Sequence, residues 1–369
     1  MIPIDLLEVS TYEIPTQEPY EADGTLEWSS TTVVVVTLGA GGKKGLGFSY
    51  ATTACETLIK DVLAKAILGC DVLDTGAIWA KMVKSIRNLG RPGISSMSIS
   101  AVDIAAWDLK AHLVGLPLAD LIGKCRNKVE IYGSGGFTSL SDDQLTKQLD
   151  GWVYKQKIPR VKIKVGSNWG KLWQRDIQRV ELAREYIGND TELFVDANGA
   201  YSRKQALRMA QEFERYGVSW FEEPVSSDDL SGLRQIKEST TADVTAGEYG
   251  YSLVYFSNMA NSGAVDCLQI DISRCGGITE WMRISAVAAA IGLEVSAHCA
   301  PSLHLHPACA TQNIRHIEYF ADHVRIENML FDGVAQPKPG GVLSPFFESV
   351  GMGLELKAEA ERFRKDFHG

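Results

Sequence analysis

The chain has 369 residues, of which 45% are hydrophobic and 22% charged, with a formal net charge of -9. This is the composition of a globular protein with material for a large core, arranged as two domains or as one barrel with an addition. The acidic excess argues against a nucleic-acid groove or an anionic membrane surface, although a bound metal can reverse the local field for an anionic small substrate.

Residues 31–38 form a β-branched run, TTVVVVTL, followed by the turn Gly39-Ala40-Gly41-Gly42 and by Leu46-Gly47-Phe48. The pattern predicts a strand, a hairpin turn and a second strand. Gly42-Lys43 resembles the end of a phosphate loop, but the first glycine of that motif would fall on Thr37 and its hydroxyl position on Lys44. Ile99, Val102, Ala106, Leu109 and Leu113 then recur at helical spacing, with Gly115 as the stop. Strands followed by helices predict an α+β domain over residues 1–125.

From Lys128 the pattern alternates. Strands are predicted at 129–132, 161–165, 193–196, 219–222, 244–247, 265–271, 293–297 and 315–319, with helical stretches between them. Ala206, Met209, Ala210 and Phe213 mark one helix, and Gly217 lies just past its end. Ser141 and Gln144 form a capping box for another. The predicted class is α/β, a modified TIM barrel over residues 126–325, with an open doubly wound sheet as the alternative. Residues 326–369 regain mixed composition and are expected to pack back on the first domain.

The Ala- and Val-rich stretch 284–291 reads as a buried helix, because no apolar run reaches the roughly 18 residues of a membrane span. Seven cysteines, Cys55, Cys70, Cys125, Cys267, Cys275, Cys299 and Cys309, form no C-x-x-C, and no secretory leader is legible ahead of them. Reduced thiols in a cytoplasmic protein are the expectation.

Six polar residues end successive apolar runs in the barrel region. They are Asp196, Glu222, Glu248, Asp271, His298 and Glu318, separated by 26, 26, 23, 27 and 20 residues. Each step is about one strand, one helix and their loops, so the six are expected to ring the C-terminal mouth of the barrel. Three carboxylates converging there would repel one another without a divalent cation. All-oxygen ligation suits Mg²⁺, and Mn²⁺ would also fit.

Lys162 and Lys164 lie two apart and therefore on one face of a strand, with Val161, Ile163 and Val165 on the other. The apolar face belongs against the helices, so both lysines are expected to point inward. Adjacent ammonium groups are expected to lower each other's pKa. Asp271, one strand from His298, is expected to hold its imidazole in one tautomer. His304 and His306 lie past the strand end and read as loop or helix residues. His316 shares the phase of Glu318 in a supporting role.

Lys-x-Lys, Asp-x-Asn, Glu-Glu-Pro, Gly-Glu, Asp followed by Gly-Gly, Ser-x-His and Glu occur in that order on seven successive predicted strands. Ala105-Ala106-Trp107-Asp108-Leu109-Lys110 precedes them on a helix of the first domain. Together these motifs resemble the enolase superfamily, mandelate racemase subgroup, over nearly the whole chain. The resemblance implies a barrel of (β/α)7β type with an α+β capping domain that carries the specificity loops.

It also implies Mg²⁺ on Asp196, Glu222 and Glu248, with Glu223 beside them. Lys164 would be the base on one face of a carboxylate substrate, and Lys162 would lower its pKa. His298 with Asp271 would act on the other face. A protonated Glu318 would donate to the substrate carboxylate, and Asn198 would contact substrate. The capping loop with Tyr20, Glu21, Asp23 and Trp28 resembles the family's specificity loop, and Ser49 and Tyr50 sit near a second one. Cys299, directly after His298, reads as a packing residue, with contact to the site as the alternative. The implied reaction is dehydration of an acid sugar to a 2-keto-3-deoxy acid. A racemase or epimerase of a 2-hydroxy acid is the alternative, and a carbohydrate-binding protein without activity is a third reading. A homo-oligomer is left open.

Overall fold

The computed structural model describes residues 1–365, so the last four residues of the expected C-terminal segment lie outside it. Three strands, Leu6–Pro15, Ser30–Ala40 and Lys43–Tyr50, form an antiparallel sheet. The last two are joined by Gly41-Gly42 with φ of 55° and 74°, the two left-handed positions that a tight hairpin turn requires. The sheet lies on the long helix Ile94–Val114, which stops at a left-handed Gly115. The approach is close because of Gly45 and Gly47, where an added Cβ would meet Leu109 N and Ala101 O at 2.2 Å. Glycine there lets the strand backbone touch the helix.

Eight parallel strands follow: Val129–Gly135, Arg160–Lys164, Glu192–Asp196, Val218–Glu222, Asp243–Ala246, Cys267–Ile270, Glu294–Ala297 and Ile314–Phe320. The eighth pairs in parallel with the first, so the sheet closes and has no parallel edge. This is the modified TIM barrel, with the α+β unit as its cap. A helix, Ala321–Leu330, follows the eighth strand.

The local signals lie where the sequence puts them. Ser141 and Gln144 make a reciprocal capping box at the start of Asp142–Asp150. Ala206, Met209, Ala210 and Phe213 are the buried face of Arg203–Glu214. The stretch 284–291 lies at the end of Gly277–Ala290 but is buried on one face only: Ile284, Ser285 and Ala288 are inside, and Ala286, Ala289, Ala290 and Ile291 are exposed. Among the described residues no helix is long and apolar enough to cross a membrane.

The cap is tied to the sixth βα loop of the barrel. Ser49 Oγ donates to the carbonyl of Ser273 at 2.7 Å, and Trp79 Nε1 donates to that of Gly276 at 2.9 Å. Asp103 accepts from the N–H and hydroxyl of Thr279 at 2.9 and 2.7 Å.

Beyond residue 330 the chain reaches both units. Val342–Leu343 pairs with the first barrel strand, and the Met352 N–H donates to Asp108 of the long cap helix at 2.7 Å. His304 and His306 lie inside the helix Pro301–Ala310 as buried connectors. His304 Nε2 accepts from the Ile272 N–H at 2.9 Å. His306 Nδ1 accepts from the Ala119 N–H at 3.1 Å, and its Nε2 lies 3.2 Å from the Met352 carbonyl.

Burial lowers the His306 pKa from 6.5 to about 4. The unfolded chain therefore binds the extra proton first, and this contribution to stability is lost as pH falls from about 6.5 towards 4. His306→Asn, which keeps an acceptor for Ala119, removes that dependence. The urea-unfolding deficit of the variant relative to wild type should shrink by on the order of 2 kcal/mol between pH 7 and pH 5. A deficit that does not change with pH would disprove the neutral, buried assignment.

Candidate active site

Strand register brings the charged residues to one level. Lys164 pairs with Asp196, Asp196 with Glu222, and Glu222 with Thr245, just before Glu248. On the other side Ile270 pairs with Ala297, which brings Asp271 and His298 side by side, and Ala297 pairs with Ile317, next to Glu318. One level deeper, Tyr132, Phe194, Trp220 and Cys267 pack as an apolar floor. The His316 ring stands among them, 4.6 Å from that of Tyr132, with Nδ1 2.9 Å from Ser296 Oγ.

The chain turns sharply as it leaves these strands. Gly166, Asn198, Glu223, Gly247 and Cys299 have φ of 82°, 45°, 40°, 136° and 50°. Three of these are non-glycine residues in the left-handed region, a strained conformation that clusters at functional sites.

Asp196, Glu222 and Glu248 are buried, and each has a carboxylate oxygen within 4.8 Å of one from each of the others. Lys162 Nζ lies 2.6 Å from Glu222 Oε1 and 2.8 Å from Glu318 Oε1, and Lys164 pairs with Asp196. His298 Nδ1 lies 2.9 Å from Asp271 Oδ2, and its Nε2 lies 3.3 Å from Glu248 Oε2. Arg274 was not legible in the sequence as a site residue. Its guanidinium donates to the Glu248 carbonyl at 3.1 Å and lies 3.4 Å from Asp271 Oδ2. Its only sequence signal is a cation three residues beyond Asp271.

One electrostatic expectation is met but outweighed, and one is corrected. Burial opposes the charge of Lys164, and Lys162 lowers its pKa, but Asp196, Glu248 and Glu222 outweigh both and the pKa is raised. Burial likewise opposes the charge of Glu318, yet Lys162 and His298 hold it well below the usual carboxylate range. Glu318 is an acceptor here and not a protonated donor. Its oxygens receive the Ser134 hydroxyl at 2.6 Å and the Cys299 N–H at 2.9 Å.

The same physics suits the cluster to a cation. Asp196, Glu222, Glu223, Glu248, Asp271 and Glu318 face Lys162, Lys164, Arg274 and His298, so full ionisation leaves two negative charges uncompensated. Burial, then the Asp196 charge, pushes the Glu222 pKa to about 8, and burial and Glu248 hold Glu223 well above its ordinary value. Among the described residues, Glu223 Oε1 and Asn198 Oδ1 are buried without a hydrogen-bond partner. A divalent cation matches both the missing charge and the oxygen donors.

A cavity of about 400 Å³ opens above this cluster, lined by Lys164 and Asn198 from the ends of the second and third strands and by His298 and Cys299 from the end of the seventh, across the barrel mouth. Trp28 and Tyr50 of the cap also line it. Trp28 Nε1 donates to Glu21 at 3.2 Å, and the Tyr50 ring stacks on His323 with centroids 3.4 Å apart. Tyr20 is corrected: it lines a separate cleft with Trp169 and Arg175. For Cys299 the alternative holds over packing alone. Its thiol lies 3.3 Å from His298 Nε2 and 3.4 Å from Glu318 Oε2, inside the site.

Residues 8–123 match the family model "Mandelate racemase / muconate lactonizing enzyme, N-terminal domain", and residues 144–360 match "Enolase C-terminal domain-like". L-talarate/galactarate dehydratase of Salmonella typhimurium is 32% identical over 87% of this chain and 79% of its own length. A crystal structure of a mandelate racemase/muconate lactonizing enzyme-like protein from Rubrobacter xylanophilus superposes with a TM-score of 0.94 at 46% identity, covering 98% of this chain and 100% of that one. L-talarate dehydratase from Polaromonas sp. JS666, complexed with Mg and L-glucarate, has a TM-score of 0.89 at 29% identity, covering 99% of this chain and 98% of that one.

Proposed function

The chain belongs to the mandelate racemase/muconate lactonizing enzyme group of the enolase superfamily, and from that membership we propose that it dehydrates an acid sugar. The substrate in this reading is an aldonate or aldarate, and the product is a 2-keto-3-deoxy acid. The observation that carries the reading is one cavity with Lys164 on one wall and His298 on the other, above the three carboxylates.

A divalent cation on Asp196, Glu222 and Glu248 would supply positive charge to the substrate carboxylate as the α-proton leaves. Mg²⁺ fits the donor set. Lys162, fixed between Glu222 and Glu318, stays an ammonium and adds charge from below. With Asp196, Glu222 and Glu248 engaged in coordination, the influences left on Lys164 are burial and Lys162, and both favour the neutral amine. Lys164 then takes the α-proton on its face. His298, oriented by Asp271, gives a proton to the departing 3-hydroxyl, which leaves as water. The enol tautomerises to the 2-keto acid. Glu318, held as an acceptor, orients Lys162 and the Cys299 backbone.

Proton NMR in D₂O with Mg²⁺, across mono- and diacid sugars and simple 2-hydroxy acids, tests the reading. The expected result is loss of the α-proton signal with growth of a partly deuterated 3-deoxy methylene. Exchange or inversion at the α-carbon with no loss of water would replace dehydration by epimerisation.

A further inference from the structure

We propose that His298, Cys299 and Glu318 form a second metal site, for one thiophilic divalent cation of the Zn²⁺ kind, beside the carboxylate triad. Cys299 Sγ lies 3.3 Å from His298 Nε2 and 3.4 Å from Glu318 Oε2, and those two atoms are 3.9 Å apart. A tetrahedral ion with a bond of about 2.3 Å to sulfur and about 2.0–2.1 Å to nitrogen and oxygen spaces its donors by roughly 3.3–3.6 Å. The three atoms already form such a face to within about half an ångström. A set of nitrogen, sulfur and oxygen suits Zn²⁺, whereas Mg²⁺ prefers oxygen alone.

Adjacent residues of an extended strand point to opposite faces, so His298 and Cys299 would ordinarily diverge. The left-handed turn at Cys299, φ 50°, brings its thiol back beside the preceding imidazole. Each donor is also held from behind. Asp271 Oδ2 meets His298 Nδ1 at 2.9 Å, an arrangement common to histidine ligands of zinc, and turns Nε2 to the site, where it also lies 3.3 Å from Glu248 Oε2. Asp271 is itself fixed by the Ser273 N–H at 2.7 Å and hydroxyl at 2.6 Å. Glu318 is gripped at Oε1 by Ser134 and Lys162, which leaves Oε2 to the Cys299 N–H and thiol.

His298 and Cys299 line the open cavity, so an ion can enter and a water can complete its coordination. On binding, the Cys299 thiol proton and the His298 Nε2 proton pass to solvent, and sulfur–metal and nitrogen–metal bonds form without change of oxidation state. Thiolate and carboxylate then balance the charge of the ion. The ion would occupy Nε2, the atom that carries the proton His298 gives, so it would inhibit. That consequence rests on the proposed function, but the binding does not.

The probe is Co²⁺ added stoichiometrically to the full chain in excess Mg²⁺. The expected result is a near-ultraviolet thiolate-to-cobalt band with intense tetrahedral visible bands, both displaced by Zn²⁺. Cys299→Ser should abolish the sulfur band with the circular dichroism spectrum unchanged, and Asp196→Asn should retain it. His298→Asn should weaken Co²⁺ binding by about tenfold or more, and it carries the test if Cys299→Ser does not fold. Absence of a sulfur band would overturn the site. So would a band that survives Cys299→Ser, which assigns it to another thiol such as Cys70 or Cys125, or one that disappears in Asp196→Asn. Silence across the acid-sugar panel leaves this spectrum unaffected, so the two proposals fail separately.

Discussion

Lys164→Ala is expected to lower turnover by on the order of 10³-fold or more, with the fold intact, and His298→Asn to do the same. Lys164 ends the second barrel strand in register with Asp196, and His298 follows the seventh. They face one cavity from two sides, so neither can stand in for the other on a substrate held between them. Lys164→Ala removes a cation from beside Asp196 and should leave Mg²⁺ affinity equal or tighter. A weaker affinity by calorimetry would mean that the lost turnover came from the metal site. In D₂O, His298→Asn should keep exchange at the α-carbon while losing dehydration, and Lys164→Ala should lose both. The second names the residue that removes the proton. Full activity in either variant would end the two-face assignment.

Asp196→Asn is expected to weaken Mg²⁺ binding by about 100-fold or more, since it removes a charged oxygen donor from a set of three. The same site should couple metal to stability. An ion that binds only the folded state at a hundredfold excess over its Kd adds about 2.7 kcal/mol. Mg²⁺ should therefore raise the wild-type Tm by several degrees. It should shift Asp196→Asn little at the same concentration. Equal affinities in the two proteins would remove Asp196 from the ligand set.

The barrel was legible because its strands are buried and their ends are marked. Lys162 and Lys164 alternate with Val161, Ile163 and Val165, and that period of two assigns faces without any tertiary information. Asp196, Glu222 and His298 each close an apolar run, so chain order alone placed them at one rim. The roles were carried further by a combination of motifs than by any single residue.

What the sequence determined by itself was the set of elements and the rim residues, because hydrophobic periodicity and strand ends are local properties. What only the tertiary structure decided was how those residues meet. Arg274 enters the site from a loop whose path is fixed by the cap through Ser273 and Gly276. Cys299 reaches His298 because of one left-handed backbone angle, and Tyr20 leaves the cavity for a neighbouring cleft. The net shift of Lys164 and the charge of Glu318 departed from expectation for the same reason. A pKa in a buried cluster is set by every charge within a few ångströms, and strand pairing brings those charges together from residues more than 100 positions apart.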